Sequence, residues 1–143
     1  MLARLKGHGN LAGMKLPASL QNAGEFVVVL VRPKGARNVG SISRAMGHFG
    51  VRRLRLVSPH CDVKSLEARS MAMSGQDILA GAEHFATLRE ATADCGWLVA
   101  ASCRRGRNRR STIEPRADAP LLLRRAAETR LALIFGPEDK GLR

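Results

Sequence analysis

Three polar clusters in this chain combine residue types and spacings that could do chemistry. In the first, Arg37-Asn38-Val39-Gly40-Ser41-Ile42-Ser43-Arg44 follows the turn residues Arg32-Pro33-Lys34-Gly35 and contains no carboxylate. A guanidinium such as that of Arg44 keeps its charge and offers a planar fork of donors, so it can hold a phosphate or stabilise an oxygen that is losing its proton. In the second, Arg104-Arg105-Gly106-Arg107-Asn108-Arg109-Arg110 places five arginines in seven positions, a loop expected to order on a phosphate backbone. In the third, Gly136-Pro137-Glu138-Asp139-Lys140-Gly141 frames a Pro-Glu turn with glycines, a pattern for backbone that approaches a ligand closely.

Each cluster follows a predicted strand. Phe26-Val27-Val28-Val29-Leu30-Val31 is a continuous apolar run rich in β-branched residues, which reads as a strand covered on both faces. Ile42, Ala45, Met46 and Phe49 then recur with helical spacing, predicting a helix over 41–49 with Asn38 at its cap and Arg44 turned away from the core. Gly50 ends that helix, and Leu54, Leu56 and Val57 supply a second strand before Ser58-Pro59. A strand–helix–strand unit implies a parallel pair, with the loops that follow the strands at one sheet edge. Residues 64–73 predict a helix contacting the core through Leu66, Ala68 and Met71. The span 76–92 breaks into short pieces around Gly81 that pattern alone does not separate. Residues 96–102, Gly-Trp-Leu-Val-Ala-Ala-Ser, predict a third buried strand whose small C-terminal residues let a ligand reach the backbone. A helix is expected from Pro115 through Leu121, Leu122, Ala126 and Ala127, before a last strand at Leu131-Ala132-Leu133-Ile134-Phe135. The fold class is α/β, a mostly parallel sheet with helices on both faces.

A formal charge of +12 over 143 residues suits one domain with a polyanionic partner, nucleic acid ahead of an anionic membrane surface. No apolar run approaches the roughly 20 residues that span a bilayer. Between positions 26 and 61 there are seven basic residues, Arg32, Lys34, Arg37, Arg44, Arg52, Arg53 and Arg55, and no acidic one. Free N–H groups and the dipole of the first helix converge on the same place, so an anion is expected to bind there. Arg32, Lys34, Arg37 and Ser41 are thus candidate RNA contacts, together with Arg104, Arg105, Arg107, Arg109 and Arg110. Four Phe, one Trp and no Tyr favour contact with RNA backbone and shape over stacking of bases on aromatic side chains. Cys61, Cys95 and Cys103 form no C-x-x-C pair, which points to a reducing cytoplasm. His60 beside Cys61 leaves a tetrahedral metal site unfilled, and no metal is expected. Residues 1–24 carry Arg4, Lys6 and Lys15 without an acid and read as a flexible basic extension before a domain at 25–143.

Familiar phosphate motifs fail. Gly35 and Gly40 have the spacing of a P-loop, but Ser41-Ile42 stand where Lys and Ser or Thr belong. No G-x-G-x-x-G follows a predicted strand. Composition and motifs alone therefore reach a basic α/β domain that binds phosphate.

The segments Arg37-Asn38-Val39-Gly40-Ser41-Ile42-Ser43-Arg44-Ala45-Met46 and Leu133-Ile134-Phe135-Gly136-Pro137-Glu138-Asp139-Lys140-Gly141-Leu142 resemble the first and second signature motifs of the SpoU (TrmH) RNA methyltransferases of the SPOUT class. Arg53-Leu54-Arg55-Leu56-Val57-Ser58-Pro59, the segment from Ala72 to Leu79, and Ala101-Ser102-Cys103-Arg104 look most like the TrmJ branch. The resemblance implies methylation of a ribose 2′-hydroxyl in tRNA, with the anticodon loop favoured, or in rRNA. It also implies an S-adenosylmethionine pocket built by a trefoil knot, and a homodimer. By motif match, Ala101, Ser102, Cys103 and Gly136 line the cofactor pocket and Glu138 braces the second-motif loop. Arg44 matches the catalytic arginine, with Asn38 supporting the loop and substrate contact. A third motif belongs after Leu142, so the domain is expected to be incomplete at its C-terminus. A chain without that motif would remain an RNA-binding α/β module with no catalysis, which is the competing expectation.

Overall fold

The computed structural model describes residues 25–101 and 113–142. The predicted N-terminal extension and the arginine-rich loop lie outside them.

Strand β1 (Phe26–Val31) has its four inner residues buried. Its side chains alternate between two cores, as the two-residue period of a strand requires. Val28 and Leu30 join Val39, Met46, Leu54, Leu56, Ile78 and Leu79 on one face. Val27 and Val29 meet Val57, Ala91, Ala132 and Ile134 on the other. Because both faces are covered, the apolar run is uninterrupted.

Helix α1 spans Ala36–His48 and so starts before the predicted boundary at 41. Gly35, not Asn38, is its N-cap, and no side chain caps it. The buried stripe is Val39, Gly40, Ser43 and Met46, while Phe49 is 74% exposed. Close packing explains the difference from the apolar stripe expected. A Cβ on Gly40 would lie 2.2 Å from the Ala68 carbonyl oxygen, so small residues, not large apolar ones, define the side where two helices touch. Ser43 buries its hydroxyl by donating to the Val39 carbonyl at 3.0 Å, as a polar group taken out of water must.

Strand β2 (Arg53–Val57) leads to helix α2 (Leu66–Ala72), where Ser65 caps by accepting from the Ala68 N–H. Ala68 and Ala72 are its buried residues. Leu66, expected in the core, is 75% exposed because it occupies the first helical position, facing outward. The span 76–92, which pattern alone does not separate, contains α3 (Gln76–Ala80), β3 (Glu83–Phe85) and α4 (Leu88–Ala91). A four-residue helix is too short to hold itself, and a capping box between Thr87 and Glu90 supports α4.

Strand β4 (Trp97–Ala101) is followed by α5 (Ala119–Glu128) and β5 (Leu131–Phe135). Helix α5 does not begin at Pro115. The Asp118 carboxylate accepts the Glu114 N–H at 2.7 Å and the Asp118 N–H returns to the Glu114 carbonyl, closing a separate turn first. Pro120 sits in the first turn of the helix, where its missing donor costs nothing.

The sheet runs β3-β2-β1-β5-β4 and all four pairings are parallel, which bears out the α/β reading. Strand β4 is not buried as expected. Its position at the sheet edge leaves Leu98 53% exposed. The chain steps outward from β1 to β3, crosses to β4, and returns to β5 beside β1. That reversal makes a crevice where loops leave the C-terminal ends of β1 and β5.

Three of the seven basic residues assigned to an anion site work elsewhere. Arg55 is 3% exposed and forks onto Asp94 at 2.6 and 2.8 Å, with a third bond to the Ala91 carbonyl. Arg53 faces Glu25 at 3.5 Å, and Arg130 reaches both Glu25 and Asp94. Arg52 pairs with Asp77 at 2.8 Å. Arg53, Arg130, Glu25 and Asp94 border the N-terminal ends of their strands, opposite the crevice.

Candidate active site at the β1–β5 crevice

The first and third clusters meet here, and one carboxylate joins them. The Lys34 N–H donates to Glu138 Oε2 at 3.0 Å, and the Gly35 N–H donates to Oε1 at 3.1 Å. Asn38 Nδ2 also donates to Oε1, at 3.0 Å. Lys34 Nζ adds an ion pair with Asp139 at 2.6 Å. The expectation of free N–H groups gripping an external anion is therefore corrected: the chain supplies the anion itself, and Glu138 occupies the start of α1. Asn38 is held inside the first turn by the same bond, which is why it does not cap.

Burial pushes the Glu138 carboxyl up, but the donations from Asn38 and from the backbone N–H groups of Glu138, Lys34 and Gly35 prevail and hold it at about 2. A depressed carboxylate contributes stability that is present above its ordinary value of 4.5 and lost as the pH falls toward about 2. Glu138→Gln should accordingly unfold at a lower temperature than the unaltered protein at neutral pH, with the gap closing across that acid window. Thermal unfolding followed as a function of pH checks this, and a gap independent of pH would contradict it.

The third cluster folds tightly on itself. A Cβ on Gly136 would lie 2.3 Å from the Gly141 carbonyl carbon and from the Leu142 nitrogen. Gly141 has φ +65°, a left-handed conformation that glycine adopts without penalty. Leu142 then packs on the core beneath β1 and β5. Ala101 pairs in register with Phe135, so the small exposed end of β4 lies beside the strand that leads into Gly136. Ser102, Cys103, Arg104, Arg105, Arg107, Arg109 and Arg110 lie outside the described residues.

On α1, Arg37 and Arg44 are exposed and Ser41 is half-buried, so Arg44 faces away from the core as predicted. Arg37 Nε lies 3.9 Å from Glu67, a loose surface pair worth little. Arg32 ends β1 with φ 49° and Ser58 ends β2 with φ 44°. Left-handed geometry costs a non-glycine residue about 1 kcal/mol or more, so both strands turn sharply at the same rim. A cleft of about 460 Å³ opens there, with Lys34, Arg37, Asn38, His60, Cys61 and Asp62 among its lining residues. Burial pushes the Cys61 thiol up, with Glu138 and Asp62 adding to it, which leaves a neutral sulfur rather than a nucleophile.

Sequence reasoning missed the partners of Asp139 and of Asn38. The signal was present in the pairing of an acid-free first cluster with the adjacent carboxylates Glu138-Asp139.

A model of the SpoU rRNA methylase family matches residues 25–143. The chain belongs to that family. Among curated SpoU-type relatives, the tRNA (cytidine-2′-O-)-methyltransferase TrmJ of Methanocaldococcus jannaschii is 38% identical over 119 residues, covering 81% of this chain and 50% of that protein. The tRNA (cytidine/uridine-2′-O-)-methyltransferase TrmJ of Salmonella typhimurium is 35% identical over 115 residues, 80% of this chain and 47% of its own length. Among solved structures, TrmJ from Z. mobilis superposes with a TM-score of 0.75 at 32% identity, covering 82% of this chain and 51% of that one. A probable methylase family protein from Haemophilus influenzae gives 0.77 at 28% identity, covering 85% of this chain and 50% of its own. The chain spans about half the length of the curated relatives it matches. The parallel sheet and its crevice are thus the SpoU fold.

Proposed function

We propose that this SpoU chain is the methyltransferase domain of a tRNA 2′-O-methyltransferase that uses S-adenosylmethionine, with the anticodon loop as its target and the cytoplasm as its compartment. The observation that carries the reading is the single carboxylate, Glu138, tying the arginine-bearing helix to the glycine loop after β5. That bond fixes the element bearing Arg44 relative to the strand ends where a methyl donor would sit.

The residues present fit such a donor. Ala101 and Gly136 end neighbouring parallel strands, and neither offers a bulky side chain against a flat nucleoside. Ala101, Ser102, Cys103 and Gly136 would hold the cofactor, with Glu138 bracing the loop. When bound, S-adenosylmethionine supplies an electrophilic methyl group. The remaining work falls to this chain. A ribose hydroxyl is a poor nucleophile, so it must be held in line with the methyl group and stabilised as its oxygen loses the proton. Arg44 is placed to do the second task as a cation fixed on the exposed side of a packed helix. A guanidinium does not give up its own proton, so Arg44 acts as a clamp and the ribose proton leaves through phosphate or water. Asn38 acts as a positioning residue through Glu138. Arg32, Lys34, Arg37 and Ser41 are the candidates to take the RNA backbone, with the arginines of 104–110 as further candidates by sequence.

The trefoil knot and the homodimer belong to the same proposal, with the third motif completing the pocket.

Transfer of labelled methyl from S-adenosylmethionine to unmodified tRNA, mapped by the resistance of one phosphodiester to alkali, tests the function. Label on a base, or none on any tRNA from protein shown in a separate titration to bind S-adenosylhomocysteine, would refute it.

A further inference from the structure

We infer that a second cleft, between α2, α3 and β3, is an accessory RNA subsite that takes a nucleotide away from the reacting ribose. The inference rests on the proposed action on tRNA and adds a contact surface to it. The cleft has a volume of about 470 Å³ and is lined by Val63, Lys64, Arg69, Gln76, Leu79, Ala80, Ala82 and His84, a size within the roughly 300–1,000 Å³ of ligand-holding clefts. No residue of α1 lines it, so it is distinct from the surface that carries Arg37 and Arg44.

Its lining divides into two chemistries. Val63 and Leu79 are buried and, with Ala80 and Ala82, make an apolar floor on which the face of a base can lie. Lys64, Arg69, Gln76 and His84 make a polar rim with no carboxylate among the lining residues, and Gln76 Nε2 already donates to the Arg69 carbonyl at 3.3 Å. Nearby acids are engaged elsewhere. Asp77 pairs with Arg52, Glu83 with Arg55, and Asp62 accepts the Lys64 backbone N–H. Among the described residues, Lys64, Arg69 and His84 take part in no ion pair. The two cations Lys64 and Arg69, left without an internal partner beside an apolar floor, complement a nucleotide, whose base is flat and whose phosphate is anionic. Ala68 of α2 packs on α1, while Arg69, the next residue, lines the cleft, so α2 separates this cleft from α1.

Two variants of the full chain test the inference by equilibrium binding of tRNA across a salt series. Lys64→Glu combined with Arg69→Glu should weaken binding about tenfold and lower the slope of log affinity against log salt by about 2, one per lost phosphate contact. Ala80→Leu keeps the charge and fills the floor, and it should weaken binding severalfold at every salt concentration with the slope unchanged. Both residues of the double variant and Ala80 are exposed, so thermal unfolding should stay at the unaltered value, and the rate on saturating tRNA should be retained. Unchanged binding in both variants would overturn the subsite while leaving the proposed reaction intact. A loss confined to the charge-reversed variant would also overturn it, since long-range attraction then accounts for the effect without an occupied cleft. Failure of the unaltered protein to bind tRNA would instead remove the functional reading on which the subsite rests.

Discussion

Replacing Arg44 with alanine should lower the rate of ribose methylation on saturating tRNA by about 10²–10³-fold, the range found when one preorganised donor to a developing oxyanion is removed. The side chain is exposed, and its removal opens no cavity, so the unfolding temperature should hold. The comparison that decides the role is Arg44→Lys. Lysine keeps the charge but presents a compact ammonium on a flexible stem, and a clamp needs the planar fork held in one place. Most of the lost rate should therefore stay lost in Arg44→Lys. Near-full turnover in that variant would show that charge alone suffices and would reject the clamp.

Gly136→Ala should reduce binding of S-adenosylhomocysteine in calorimetry to below detection. The added Cβ would meet the Gly141 carbonyl carbon and the Leu142 nitrogen at 2.3 Å. Both obstructing atoms are backbone, so no flexible side chain can step aside, and the loop must open. Opening it draws Leu142 from the core and shifts Glu138 away from Lys34 and Gly35. Forced overpacking of this kind costs about 1–3 kcal/mol, so the unfolding temperature should fall as well. Affinity equal to that of the unaltered protein would show that the turn does not shape the cofactor pocket.

Much of this was legible in the residues. The run from Phe26 to Val31 announced a strand covered on both faces, and it is one. The helical spacing placed Arg44 outward, and the two glycines around Pro137 announced the tight turn. What escaped depended on partners remote in the chain. Arg55 looked like part of a basic cluster until Asp94, thirty-nine positions later, was found holding it. The start of α1 looked open to a foreign anion until Glu138 was found there, about a hundred positions on. The stripe of α1 was read correctly at Met46 and Ile42 but missed Gly40, because hydrophobic periodicity weighs side chains, whereas Gly40 is buried by what it lacks. Strand β4 was misread for a related reason: a short apolar run looks the same in the middle of a sheet and at its edge.

The pairing of Glu25, Glu83 and Asp94 with Arg53, Arg55 and Arg130 has a kinetic meaning. Three carboxylates against three guanidinium groups leave the floor of the sheet electrically quiet, while the unbalanced cations sit at the crown. In the field of a polyanion such a body turns before it lands, and among the described residues a polyanion that strikes the quiet end meets charges already paired. Raised salt should therefore slow productive landing far more than it loosens the fold, since the pairs that brace the floor include a buried fork that small ions screen weakly.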